Sequence, residues 1–84
     1  MTVLSSDSLN ERQKQILELI AIGLKDADIA KEMQLSPSSV HSEVRILLAK
    51  LNEQNRTGLV TISFCYGILC PKAILEKKLH YEEK

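Results

Sequence analysis

Ser38, His41, Ser42 and Arg45 carry the clearest chemistry in this chain. They recur at intervals of three and four, so on a helix they share one polar face. Two hydroxyls, an imidazole and a guanidinium supply that face with hydrogen-bond donors and acceptors. The chemistry is recognition rather than catalysis. No nucleophile, base and orienting group assemble by any spacing, and Thr57 and Ser63 have no catalytic company, so no enzyme is expected. Cys65 and Cys70 with His80 ten residues on form a poor zinc set, and neither a metal nor another cofactor is called for.

Such a face needs rigid elements to hold it. Asn10 is a good N-cap, and Gln13 stands three residues later as a capping box requires. Ile16, Leu17, Ile20 and Leu24 follow at helical spacing, thickened by Leu19 and Ala21. Gly23 is a natural stop, so the first helix is expected over about 10–22. A short second helix opens at Lys25 or Asp26 and ends near Met33. Ala27, Ile29, Ala30 and Met33 form its apolar side, and Asp26 and Asp28 suit the dipole of its first turn. Gln34–Leu35 is a tight connection. Ser36 followed by Pro37 then pairs an N-cap with a proline at the first helical position. The third helix runs to about Lys50 or Leu51, with Val40, Val44, Leu47, Leu48 and Leu51 inward and the polar face outward.

After a loop at Asn52–Gln54, a fourth helix is expected from Asn55 or Arg56 to about Tyr66, stopped by Gly67. Leu59, Val60, Ile62, Ser63, Phe64 and Cys65 make it apolar nearly all round, which implies a partner surface. Pro71 begins a fifth helix, about 71–81, with Ala73, Ile74, Leu75, Leu79 and Tyr81 on one greasy face. No strand pattern competes, so the expected fold class is all-α.

Composition sets the frame. At 84 residues and 9.5 kDa the chain is one domain. Its 44% hydrophobic and 26% charged residues lie in the soluble globular range. No apolar run approaches the ~18 residues of a membrane span. Met1–Ser8 lacks the charged and apolar regions of a signal peptide, and the reducing cytoplasm is the expected compartment. Eleven basic residues balance eleven acidic ones, so a surface that holds nucleic acid must gather its positive charge locally.

Two short helices joined by a tight turn, the second capped by Ser-Pro and polar on its outer face, read as a helix-turn-helix. The first helix braces across the phosphate backbone, and the second is narrow enough for the major groove. The residues that carry this pattern are Leu9-x-x-Arg12, Ile16-Leu17-x-Leu19-Ile20-Ala21-x-Gly23-Leu24, Ile29-Ala30-x-x-Met33-x-Leu35-Ser36 and Ser39-Val40. Lys50-Leu51, Asn55-Arg56-Thr57 and Gly67-Ile68-Leu69 continue it. Over residues 9–69 the chain resembles the LuxR/GerE-type DNA-binding domain of bacterial response regulators and quorum-sensing activators. The first half is shared with region 4 of sigma factors, but Asn55-Arg56-Thr57 and the fourth helix favour the LuxR type.

The resemblance implies a four-helix domain over 9–69; beyond it, residues 1–8 read as a polar lead and 70–84 as an additional C-terminal helical extension. It implies a small, stand-alone, sequence-specific regulator at the bacterial nucleoid, binding double-stranded DNA as a homodimer. His41, Ser42 and Arg45 would contact bases, with Arg45 suited to guanine O6 and N7. Ser38 and Lys50 would touch phosphate, and Lys31 and Lys25 flank the brace helix. Dimerisation would run through the fourth helix, at Leu59, Ile62, Ser63, Cys65 and Tyr66.

The chain also departs from the family pattern. His41 stands where Lys is usual, Glu43 where His is common, Ala27 where the second helix carries Lys, and Lys25 where Ser caps it. Lost cations and an added acid weaken phosphate contact. They support an alternative: a protein-binding adaptor or anti-activator that keeps the fold, with helices four and five as its surface. Cys65 reads either as a small core residue or, with Cys70, as a thiol switch linking two copies. The charge alternation of Glu76, Lys77, Lys78 and of Glu82, Glu83, Lys84 reads as a solvated face.

Overall fold

The computed structural model describes residues 9–82; the polar lead over 1–8 and the last two residues of the charged tail lie outside them. The described chain is all-helical, in the order α1 (Glu11–Ala21), α2 (Asp26–Met33), α3 (Pro37–Lys50), α4 (Arg56–Cys65) and α5 (Pro71–Glu82).

Local chemistry sets the boundaries. The capping box at the start of α1 is complete: the Gln13 N–H donates to Asn10 Oδ1 at 2.8 Å, and the Asn10 N–H donates to Gln13 Oε1 at 3.2 Å. At the other end Gly23 takes φ +96°. The Gly23 N–H then reaches Ile20 O, and the Leu24 N–H reaches Leu19 O, which satisfies the last carbonyls of the helix. Lys25 precedes α2 without a side-chain cap, and α2 ends on Gln34 in the left-handed region at φ 57°. Ser36 caps α3 by accepting from the Ser39 N–H, and Pro37 occupies the first turn. Asn55 caps α4 in the same way through the Gly58 N–H at 2.8 Å.

One core joins the helices. Ile16, Leu17, Leu19 and Ile20 of α1 meet Ile29 and Ala30 of α2, Val40, Val44 and Leu47 of α3, and Leu59 of α4. Leu9, Ile22, Leu51, Leu69 and Ile74 close its margins. Ion pairs add register at the rim: Arg56 at the start of α4 pairs with Asp26 at the start of α2.

Four expectations about the last helices need correction. α4 is not apolar all round, because Thr57, Thr61 and Cys65 align at intervals of four on an exposed face. Thr61 Oγ1 donates to the Thr57 carbonyl at 3.0 Å on that face. Leu59 and Ser63, expected at a dimer surface, are 0% exposed and belong to the chain's own core. Cys65 is exposed rather than a core residue, and Cys70 is exposed as well.

The apolar face expected of α5 is split. Ile74 is buried and Tyr81 half-buried, whereas Ala73 is exposed and Leu75 and Leu79 are 56% and 50% exposed. Leu75 lies 100° round the helix from Ile74, on the side turned away from the core. Polar links decide which side faces in. Lys77 pairs with Glu18 at 3.3 Å, Lys78 Nζ donates to the Ile22 carbonyl at 3.4 Å, and Tyr81 hydrogen-bonds Glu32.

The Tyr81 contact is visible to titration. Burial pushes its phenol from 10.0 up to about 12, and the hydrogen bond to Glu32 and that residue's negative charge push the same way. The fold therefore favours the neutral phenol. Its contribution is complete below pH 10, where the unfolded chain titrates, and is lost as pH rises through 12. In a Tyr66→Phe protein, tyrosinate absorbance should appear with a midpoint near 12. A midpoint at the ordinary value of 10.0 would show that α5 does not dock on α2 through Tyr81.

Candidate nucleic-acid interface

α2 and α3 are joined by Gln34, Leu35 and Ser36, and the Leu35 N–H donates to the Ala30 carbonyl at 2.8 Å. The left-handed Gln34 reverses the chain, and Ser36 restarts it at the α3 cap. Ser36 Oγ accepts from the Ser39 N–H at 3.1 Å, donates to Ser39 Oγ at 2.9 Å and lies 3.1 Å from Ser38 Oγ. The first turn of α3 is thereby fixed from its cap inward.

α3 divides cleanly. Val40, Val44, Leu47 and, just past its end, Leu51 are buried, and Leu48 is half-buried, as the expected inward stripe requires. Ser38, His41, Ser42 and Arg45 are all exposed, so the structure brings together the four residues singled out on the polar face. Ser39, Ile46 and Ala49 are exposed alongside them, beyond the four residues expected on that face. Their signal was available in the spacing. Ile46 stands four residues after Ser42, and Ala49 four after Arg45, so both continue rows already on that face.

Electrostatics sharpen the picture. Glu43 is the acid of α3, but its side chain is 15% exposed and points to Arg12 of α1, with 4.0 Å between Glu43 Oε2 and Arg12 Nη1. It stands off the exposed face instead of opposing an anion there. Arg12, Arg56, Lys77 and Lys78 are engaged with Glu43, Asp26, Glu18 and Glu82. Arg45 of α3 and Lys31 of α2 are exposed and enter none of the ion pairs among the described residues.

Lys50 is placed differently from expectation. Its ammonium donates to Gln13 Oε1 at 3.0 Å. The same oxygen accepts from the Asn10 N–H, and Gln13 is 3% exposed. Lys50 therefore ties the end of α3 to the capping box of α1, and is half-buried there rather than directed outward with Arg45. Among the described residues there is no pocket, and no group of three or more His, Cys, Asp or Glu side chains gathers as a metal site would. No helix of the described residues is long and apolar enough to cross a membrane.

The family model described as bacterial regulatory proteins, luxR family, matches residues 7–63. The chain is 33% identical over 64 residues to an uncharacterized transcriptional regulatory protein, YxjL, of Bacillus subtilis; the match covers 76% of this chain and 29% of that protein. It is 33% identical over 58 residues to the transcriptional regulatory protein DesR of the same organism, covering 69% and 29% of the two chains. It is 36% identical over 58 residues to a nitrate/nitrite response regulator protein homolog of Haemophilus influenzae, covering 69% and 28%. The chain thus spans under a third of the length of these relatives. No solved structure matches. The matched segment contains the whole of α1, α2 and α3 with the exposed face of α3, and the chain belongs to the luxR family of bacterial regulatory proteins through its helix-turn-helix.

Proposed function

We propose that this chain binds double-stranded DNA as a sequence-specific transcriptional regulator, with α3 in the major groove and α2 bracing the backbone. The observation that carries the reading is the acid-free outer face of α3: Ser38, His41, Ser42 and Arg45 are exposed together while Glu43 turns away to Arg12. Arg45 reads a guanine through its fork of donors. His41 and Ser42 contact neighbouring base edges, Ser38 sits by phosphate at the positive end of the helix, and Lys31 reaches phosphate from α2.

Two copies act together. The dimer surface consists of exposed Cys65 at the end of α4 and exposed Tyr66 just after it, with half-buried Ile62 beside them and Thr61 on the exposed face. Paired copies would set two α3 helices in successive major grooves about 34 Å apart. Exposed Cys65 and Cys70 are where an oxidative link between copies would form.

A second reading rests on a separate observation. Leu75 and Leu79 on α5 and Tyr66 after α4 leave apolar side chains exposed, as a protein-binding adaptor would need. The turn of Glu43 towards Arg12 removes one reason for that alternative, since this acid does not face the partner of α3. Titration of a labelled mixed-sequence duplex separates the two readings. The DNA reading expects a complex containing two chains per duplex; absence of any complex at low salt would leave the adaptor in its place.

A further inference from the structure

Ile46 is 43% exposed, although it lies in the middle of a helix whose other large aliphatic residues are buried or half-buried. A single apolar side chain on a surface is ordinary. Its position is what singles it out. Ser42, Arg45, Ile46 and Ala49 are spaced i, i+3, i+4, i+7 and are all exposed, so they form one continuous strip of α3. Val40, Val44 and Leu47 face the opposite way into the core. Ile46 is thus the apolar projection on the face that carries the groove-reading arginine.

The strip also has a distinct texture. Ser42 and Ala49, on either side of Ile46 along the helix, are small and uncharged. They let the backbone approach the partner closely, so the isoleucine projects beyond both of them. The floor of the major groove offers one apolar group, the C5-methyl of thymine. A branched aliphatic side chain has no hydrogen bond to offer a base edge, and a groove position without that methyl would leave it against polar atoms.

Resting on the DNA-binding reading above, we propose that Ile46 is a specificity-determining residue that reads the C5-methyl of a thymine beside the base contacted by Arg45. The recognised sequence then holds a thymine near a guanine in each half-site. The guanine is chosen by hydrogen bonds, and the thymine by apolar contact.

The test uses the full chain and two randomised duplex libraries, one synthesised with thymine and one with uracil, which differ only in that methyl. From the thymine library the chain should enrich a guanine and a thymine at fixed separation. From the uracil library the guanine should persist and the second position should become degenerate. On the enriched duplex, replacing that thymine with deoxyuridine should lower affinity about fourfold per half-site, the worth of one buried methyl-sized group. Ile46→Ala protein should bind the two duplexes equally and still require the guanine. Equal preference for thymine and uracil in the wild-type chain, or an undiminished thymine preference in Ile46→Ala, would overturn the assignment and leave DNA recognition standing. Failure to enrich any sequence from either library would overturn the DNA-binding reading and this inference with it.

Discussion

Arg45→Ala should lower affinity for the recognised duplex by about ten- to a hundredfold for each base pair it contacts, and should relax discrimination at that position. The magnitude follows from where the guanidinium stands. It is exposed near the middle of the α3 strip, its neighbours there are Ser42, Ile46 and Ala49, and it enters none of the ion pairs among the described residues. Its five donors can therefore turn to guanine O6 and N7 without first breaking a protein contact. Arg45→Lys separates charge from geometry. The lysine keeps the positive charge and so the salt dependence, but it lacks the planar fork and should lose much of the preference for guanine. Binding isotherms for matched and mismatched duplexes measure both effects. Unchanged discrimination in Arg45→Ala would remove Arg45 from the reading face.

Leu59→Ala should destabilise the fold by about 2–5 kcal/mol, a large part of the ~5–15 kcal/mol that holds a small domain together. Leu59 is 0% exposed and packs in the core that α1, α2, α3 and α4 share, so its truncation leaves a cavity inside one chain. The loss should be the same at low and high protein concentration in denaturant unfolding followed by circular dichroism. A loss that appears only at concentrations where copies associate would place Leu59 in an interface instead. Ser63 gives the opposite sign from the same helix. It is 0% exposed and its Oγ makes no hydrogen bond in the described structure, so Ser63→Ala should be neutral or stabilising.

The contrast between these two residues shows what a sequence displays and what it hides. Helix starts and stops were legible because each depends on a few neighbouring residues: Asn10 with Gln13, Gly23 after α1, Ser36 with Pro37. The inward stripe of α3 was legible for the same reason, and with it the four polar residues on the other side. Orientation against distant partners was not. The charge on Glu43 suggests repulsion of DNA until the structure sets it beside Arg12, 31 positions away in the chain. Lys50 looks like a phosphate ligand until it meets Gln13. The two apolar stripes of α5 differ little as sequence. Three links to Glu18, Ile22 and Glu32 turn Ile74 and Tyr81 inward and leave Leu75 and Leu79 outside. α4 shows the limit most clearly, since its residues name an apolar helix but not the side on which Thr57, Thr61 and Cys65 would meet water.

A formal net charge of zero makes DNA binding the claim most in need of direct measurement. Four basic residues among the described ones are held in ion pairs, so contact with phosphate falls to a local set that includes Lys31 of α2. Fluorescence anisotropy of a labelled mixed-sequence duplex, titrated with the chain at about 50 and 200 mM salt, tests whether that set suffices. A dimer with about six phosphate contacts should lose on the order of a thousandfold in affinity across that range as counterions are no longer released to advantage. Binding with that steep dependence is the result expected of α3 lying in the groove with α2 on the backbone. No binding at the lower salt, or binding indifferent to salt, would contradict it.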